Sequence, residues 1–252
     1  MMRSRVPLPR RFCTLAAAAL LITATLATSA CGQSQGAAPA SGAGAVNPDS
    51  VLGRADRGRM KGAEGAQVTI IEISDFQCPY CREFAAGTYK QIDSAYVRTG
   101  RARIIYINLP LSSHQQAFSA AEAAMCAGAQ GKFWQMHDRL FATQREWSGQ
   151  ADAVTRFERL AGELQLDMAA WRDCTVNDRT ASIIVSDAMQ AAEARINGTP
   201  TFIINGRGGQ RSLSGAVPYD QFAREIDAVL NGQPAAPAPG AQTPPAATPP
   251  QP

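Results

Sequence analysis

Two near-continuous apolar runs rich in β-branched residues mark the first half of the chain: Val68-Thr69-Ile70-Ile71-Glu72-Ile73-Ser74 and Arg103-Ile104-Ile105-Tyr106-Ile107-Asn108-Leu109. Runs of this length and composition predict central strands buried on both faces. Between them, Pro79 opens a helical pattern that ends near Gly100. Strand, helix and strand make a β–α–β unit, whose two strands run parallel. Pro110 stops the second strand.

From about residue 113 to 196 the apolar spacing turns helical. Phe118–Ala127, Phe133–Thr143, Ala153–Leu164, Met168–Cys174 and Arg179–Ile196 read as helices, with Asp152, Asp167 and Asn177 as expected N-caps. Trp134, Phe141, Phe157, Leu160 and Trp171 fall at core spacing. Strand character returns at Thr201-Phe202-Ile203-Ile204. A glycine-rich turn follows, then a pairing strand, Arg211–Gly215, so the glycines belong to a hairpin. An amphipathic helix, Tyr219–Leu230, completes the pattern. The predicted fold class is α/β: a β–α–β half, an all-helical insertion, and a β–β–α half.

The candidate chemistry sits where the first strand meets its helix, at Cys78-Pro79-Tyr80-Cys81. A strand ending in C-x-x-C and opening a helix is a dithiol redox site. A thiolate at Cys78 faces the unpaired N–H groups and positive dipole end of the helix, which lowers its pKa. Cys78 is therefore expected to be the exposed attacking sulfur and Cys81 the more buried resolving one. The other reading of C-x-x-C, half of a zinc site, needs a second close ligand pair. Cys126 and Cys174 are isolated, and His114 and His137 lack metal-like spacing, so no metal is expected and the two histidines are assigned to packing or hydrogen bonding.

The ends of the chain set the compartment. Residues 1–30 combine a basic start (Arg3, Arg5, Arg10, Arg11), an apolar stretch Leu15–Leu26 and small residues before Cys31-Gly32. This resembles a bacterial lipoprotein signal, in which Cys31 is acylated; ordinary secretory cleavage nearby is the alternative. Removing its four arginines and no acids turns the net charge of +3 into −1. The basic balance thus belongs to the signal, and nothing points to nucleic acid. Residues 31–49 read as a flexible tether and the Pro/Ala-rich residues 233–252 as a disordered tail. The domain occupies 50–232. Cys126 and Cys174 both lie in the helical insertion of an exported chain, where oxidation is favoured, so a structural disulfide between them is expected; two buried free thiols are the alternative.

Three segments together resemble the DsbA-like branch of the thioredoxin superfamily, in its lipoprotein form: Val68 through Cys81, Gly131-Lys132-Phe133-Trp134-Gln135-Met136-His137-Asp138, and Gly198-Thr199-Pro200-Thr201-Phe202. The resemblance implies a thioredoxin fold with a helical insertion and a protein disulfide oxidoreductase whose only cofactor is its own Cys78–Cys81 disulfide. It implies a cis peptide bond before Pro200, with the Thr199 backbone free to pair with an extended client. It also implies a buried acid, Glu72, that moves protons near Cys81, with Pro79 and Tyr80 tuning the redox motif. The implied partners are client proteins with cysteines and a membrane redox partner. The family usually has His where this chain has Tyr80, and Tyr supplies no positive charge. The direction of electron flow therefore stays open between an oxidase and a reductase or isomerase; a non-catalytic client-binding lipoprotein is the remaining alternative. The location expected is the periplasm or cell envelope, membrane-anchored. With no dimerisation domain visible, a monomer is expected.

Overall fold

The structure is a computed structural model, and it describes residue 47 and residues 49–233. The signal peptide, Cys31, most of the tether and nearly all of the tail lie outside the described residues. Strands β1 (Met60–Gly62), β2 (Val68–Ser74), β3 (Ala102–Asn108), β4 (Thr201–Gly206) and β5 (Gly209–Ser214) form one sheet in the order β1-β3-β2-β4-β5. β2 lies at its centre, as its unbroken apolar character requires. It pairs in parallel with β3, Glu72 opposite Tyr106, and antiparallel with β4, Glu72 opposite Phe202. The β4–β5 hairpin is antiparallel.

Helices cover the sheet. α1 (Val51–Gly58) precedes β1. α2 (Pro79–Ala86) and α3 (Thr88–Ile92) follow β2, and a π-helical turn, Asp93–Val97, leads on towards β3. The insertion contributes α4 (Ala117–Gly128), α5 (Phe133–Ala142), α6 (Gln144–Trp147), α7 (Ala153–Glu163), α8 (Met168–Val176) and α9 (Ala181–Glu193); α10 (Tyr219–Leu230) ends the described fold. One core joins the sheet to α2, α3 and α10 through Ile70, Phe84, Ile92, Ile104, Phe202 and Phe222. A second lies largely within the insertion and reaches β3 at Tyr106 and the loop after β2 at Phe76. Burying an aromatic or branched side chain contributes about 1.5–3 kcal/mol against leaving it in water, so the insertion is an integral part of the core. Cys126 in α4 is joined to Cys174 in α8, with Cα atoms 5.8 Å apart.

The structure departs from the sequence-based expectation in several places. The predicted helix from Pro79 to Gly100 breaks at Gly87, whose φ −118° and ψ −87° are not helical. The break lets the Thr88 hydroxyl donate to the Val217 carbonyl at 2.9 Å. Asn177 is no N-cap: it ends α8, and α9 starts behind Thr180. Asp152 occupies the N-cap position of α7, but Arg156, one turn on, takes its carboxylate at 3.0 Å in place of a backbone N–H. Asp167 does cap α8, accepting from the N–H groups of Ala169 and Ala170. Finally, α1 and β1 were not anticipated. β1 has only three residues and gains its order by pairing with β3. Arg59, next to it, is held by Asp56 and by the buried Asp187 of α9.

Candidate active site

β2 ends at Ser74, and the next four residues form a loop whose backbone is held on every side. One Asp75 carboxyl oxygen accepts the Gln77 N–H at 2.7 Å. The other accepts the Leu111 N–H at 2.9 Å and lies 2.7 Å from His114 Nδ1. Gln77 and Gln116 exchange hydrogen bonds, both at 2.8 Å. From the insertion, Gln144 Nε2 donates to the carbonyls of Phe76 and Cys78 at 2.7 and 2.9 Å. This brace fixes where α2 begins and where its first residues point.

Cys78 is the N-cap of α2, and Pro79 holds the first helical position, where a missing N–H leaves nothing unsatisfied. Tyr80 is 62 % exposed at the rim. Cys78 itself is 3 % exposed and Cys81 fully buried. The expectation of an exposed Cys78 is thus corrected: the loop before β4 covers it, and its Sγ lies 3.4 Å from the Thr199 carbonyl, to which the thiol donates. Both cysteines are thiols.

Their environments pull them apart. The Cys78 thiol is lowered to about 6, first by a hydrogen bond from the Cys81 thiol, then, against the opposing effect of burial, by Thr199 and the N–H groups of Cys81 and Tyr80. The Thr199 hydroxyl is buried and makes no well-formed hydrogen bond. Cys81 is pushed up, first by burial and then by its neighbour Cys78.

Glu72 lies in the middle of β2, fully buried, with neither carboxyl oxygen hydrogen-bonded. Burial pushes it up to about 8; the nearby Ser74 hydroxyl offsets this only in part and makes no well-formed bond to it. Ser74 also faces Cys81. Glu72, Ser74, the Tyr106 hydroxyl and Cys81 therefore form one buried polar patch behind the redox pair. The Thr199–Pro200 bond is cis. Beside it a groove of about 430 Å³ is lined by Asn197, Thr199, Pro200, Thr201, Ser212 and Ser214.

The fold thus brings Cys78, Cys81, Glu72, Thr199 and Pro200 together, with Pro79 and Tyr80 in the motif itself. Cys126 and Cys174 are bonded to each other inside the insertion. His137 is fully buried among Phe76, Tyr89, Tyr106, Trp134 and Phe141, and its Nδ1 lies 2.9 Å from Asp138. Among the described residues, no group of three or more His, Cys, Asp or Glu could hold a metal ion. The hydrogen-bonding role expected of His114 falls beside the motif, on Asp75; sequence reasoning missed Asp75, Gln116 and Gln144. Only the position of Asp75 between strand and C-x-x-C offered a signal.

The family model described as Thioredoxin matches residues 54–228, which span the whole redox site. The chain belongs to the thioredoxin family. Solved structures of DsbA proteins share its fold. BdbD from Bacillus subtilis superposes with a TM-score of 0.63 at 21 % identity, covering 70 % of this chain and 95 % of that one. DsbA2 from Pseudomonas aeruginosa gives a TM-score of 0.53 at 26 % identity, covering 67 % and 92 %. Among curated proteins, disulfide bond formation protein D of Bacillus subtilis is 23 % identical over 209 residues, 79 % of this chain and 85 % of that protein. A Na(+)/H(+) antiporter, NhaA 3 of Salinispora tropica, is 39 % identical over 153 residues, 60 % of this chain. The match spans only 22 % of the antiporter's length. Among the described residues, no helix of this thioredoxin-family chain is long and apolar enough to cross a membrane.

Proposed function

We propose that the protein is an exported thiol–disulfide oxidoreductase that passes the Cys78–Cys81 disulfide to client proteins. The observation that carries this reading is a pair of thiols at the start of α2, Cys78 at the N-cap against the Thr199 carbonyl before cis-Pro200 and Cys81 fully buried behind it. In the oxidised enzyme a client thiolate attacks Cys78 Sγ, forming a mixed disulfide and expelling Cys81 as a thiolate. Cys81, whose environment disfavours the charge, takes a proton, and Glu72, still protonated near neutral pH, is placed to supply it through the buried patch. A second client thiolate then attacks the client sulfur. Cys78 leaves as a stable thiolate, the client is oxidised and the enzyme is left as a dithiol.

The lowered Cys78 favours the oxidase direction, because stabilising the reduced form raises the reduction potential. Hydrogen bonds from Cys81, Thr199 and backbone N–H groups supply that stabilisation without a histidine at Tyr80. The Thr199 backbone and the adjoining groove suit an extended client segment. Reoxidation falls to a membrane redox partner. The compartment is the periplasm or cell envelope, with the chain anchored through an acylated Cys31 and acting as a monomer.

The measurement that tests this is the reduction potential against glutathione, with adduct trapping in a Cys81→Ala variant. Client adducts on Cys78 and a potential more oxidising than glutathione are expected. A more reducing potential supports the reductase or isomerase reading. A Cys78 that fails to react with alkylating agents at neutral pH leaves only the client-binding reading. Incorporation of labelled fatty acid that is lost in Cys31→Ala tests the anchor.

A further inference from the structure

Gln144 opens α6, far from the redox motif in sequence and within the helical insertion, yet only 2 % of it is exposed and every polar atom of its amide is used. Nε2 donates to the Phe76 and Cys78 carbonyls at 2.7 and 2.9 Å, and Oε1 accepts from Arg82 Nη1 at 3.1 Å. Two carbonyls on one side and a guanidinium on the other fix which end of the amide is which.

Each bond restrains a different part of the loop. The Phe76–Gln77 peptide is held at both ends, its carbonyl by Gln144 and its N–H by Asp75 at 2.7 Å. The Cys78 carbonyl also accepts the first α2 bond, from the Arg82 N–H at 3.1 Å. Arg82 is thus tied to the same carbonyl through its backbone and to Gln144 through its side chain. With these carbonyls turned towards the insertion, the Tyr80 and Cys81 N–H groups are left facing Cys78 Sγ. The titratable and charged groups around the loop are Asp75 and His114 on one side, and Cys81 and Arg82 in α2.

We propose that Gln144 is a positioning residue of the redox reaction. Reaching from the insertion, its amide holds the Phe76 and Cys78 carbonyls so that the loop keeps its N–H groups on the Cys78 sulfur. The inference rests on the disulfide-exchange reading and gives the insertion a share in setting the redox potential.

Two substitutions in the full chain test it. In Gln144→Glu a carboxylate faces two carbonyl oxygens and adds negative charge beside the thiolate. In Gln144→Met a side chain of similar length donates nothing. The readout is the pH dependence of Cys78 alkylation, followed by peptide mass mapping, together with the glutathione equilibrium of the Cys78–Cys81 pair. Half a pKa unit corresponds to about a threefold change in the ratio of thiolate to thiol, so Gln144→Glu should cut that ratio for Cys78 at pH 6 by about that factor or more. Gln144→Met should cut it by less, and both should make the pair more reducing. Retention of the thermal transition and of the Cys126–Cys174 disulfide shows that the variants are folded; if Gln144→Glu does not fold, Gln144→Met decides. Folded variants with the wild-type alkylation profile and potential would overturn the proposal. A wild-type chain in which Cys78 and Cys81 form no disulfide at any glutathione ratio would overturn the proposed function, and this inference with it.

Discussion

Cys78 and Cys81 are the same side chain three positions apart, and they differ in what surrounds the sulfur. Cys78 collects hydrogen bonds at the start of α2; Cys81 sits fully buried beneath it, against the thiol of Cys78. Alkylation of the reduced chain should therefore follow a midpoint near pH 6 for Cys78, with Cys81 inert through pH 9. Thr199→Val, which removes a hydroxyl that lowers the Cys78 thiol, should move the Cys78 midpoint upward. Peptide mapping after brief iodoacetamide pulses reads both; equal reactivity of the two thiols would refute the assignment. Glu72 gives a second residue-scale prediction. Its folded pKa of about 8 lies above the ordinary 4.5, so between these values the native state holds a proton that the unfolded chain has released. Stability must therefore fall as pH rises from 4.5 to 8, by an amount on the order of 2–5 kcal/mol. Glu72→Gln carries no such charge. It should unfold at higher denaturant than the wild type at pH 8, with the gap closing towards pH 5, while disulfide exchange slows. Denaturation midpoints that shift equally at both pH values would show that Glu72 is not the titrating group.

Among the elements, two helical glycines make opposite predictions. Gly58 ends α1 where it crosses α4, and a Cβ there would come within 2.5 Å of the Gly128 carbonyl oxygen. Backbone cannot swing aside as a side chain can, so Gly58→Ala should destabilise the fold by about 1–3 kcal/mol. Gly162 in α7 has open space around its Cβ position, and Gly162→Ala should stabilise it by about 0.5–1 kcal/mol. Urea denaturation of the pair checks both signs. The same contrast between local and distant causes explains what could be read in the sequence. β2, β3, β4 and α10 were legible because each carries its own apolar pattern, and the redox motif because the strand, the C-x-x-C and the helix are contiguous. α1 and β1 were not, since a short charged helix and a three-residue strand owe their order to α4 and β3. Asp75 could be suspected; Gln144 could not, because a lone Gln between two helices looks like any solvated polar residue. It is 66 residues from the Cys78 carbonyl that it holds.

At the scale of the whole molecule, the insertion is both a wall of the core and, through Gln144, a brace for the redox loop. α4 carries much of that load. It packs against α1, α5, α7, α8 and α9, and its Cys126 is joined to Cys174 of α8. The link spans a sequence separation of 48, which on the chain-entropy account stabilises the fold by about 4 kcal/mol. Cys126 and Cys174 are both buried, and neither lines the Thr199 groove. The pair should therefore act as a staple and take no part in exchange. Replacing both residues with alanine should lower the melting temperature by roughly 8–15 °C for a domain of this size. The Cys78–Cys81 couple should survive with its alkylation midpoint unchanged, because the residues around the thiolate remain in place. In a Cys78→Ala/Cys81→Ala background, denatured but never reduced, neither Cys126 nor Cys174 should react with an alkylating agent. Reaction of both would show that the staple is absent in the folded chain. A double-alanine variant that melts normally but loses client oxidation would instead make the pair a second redox centre.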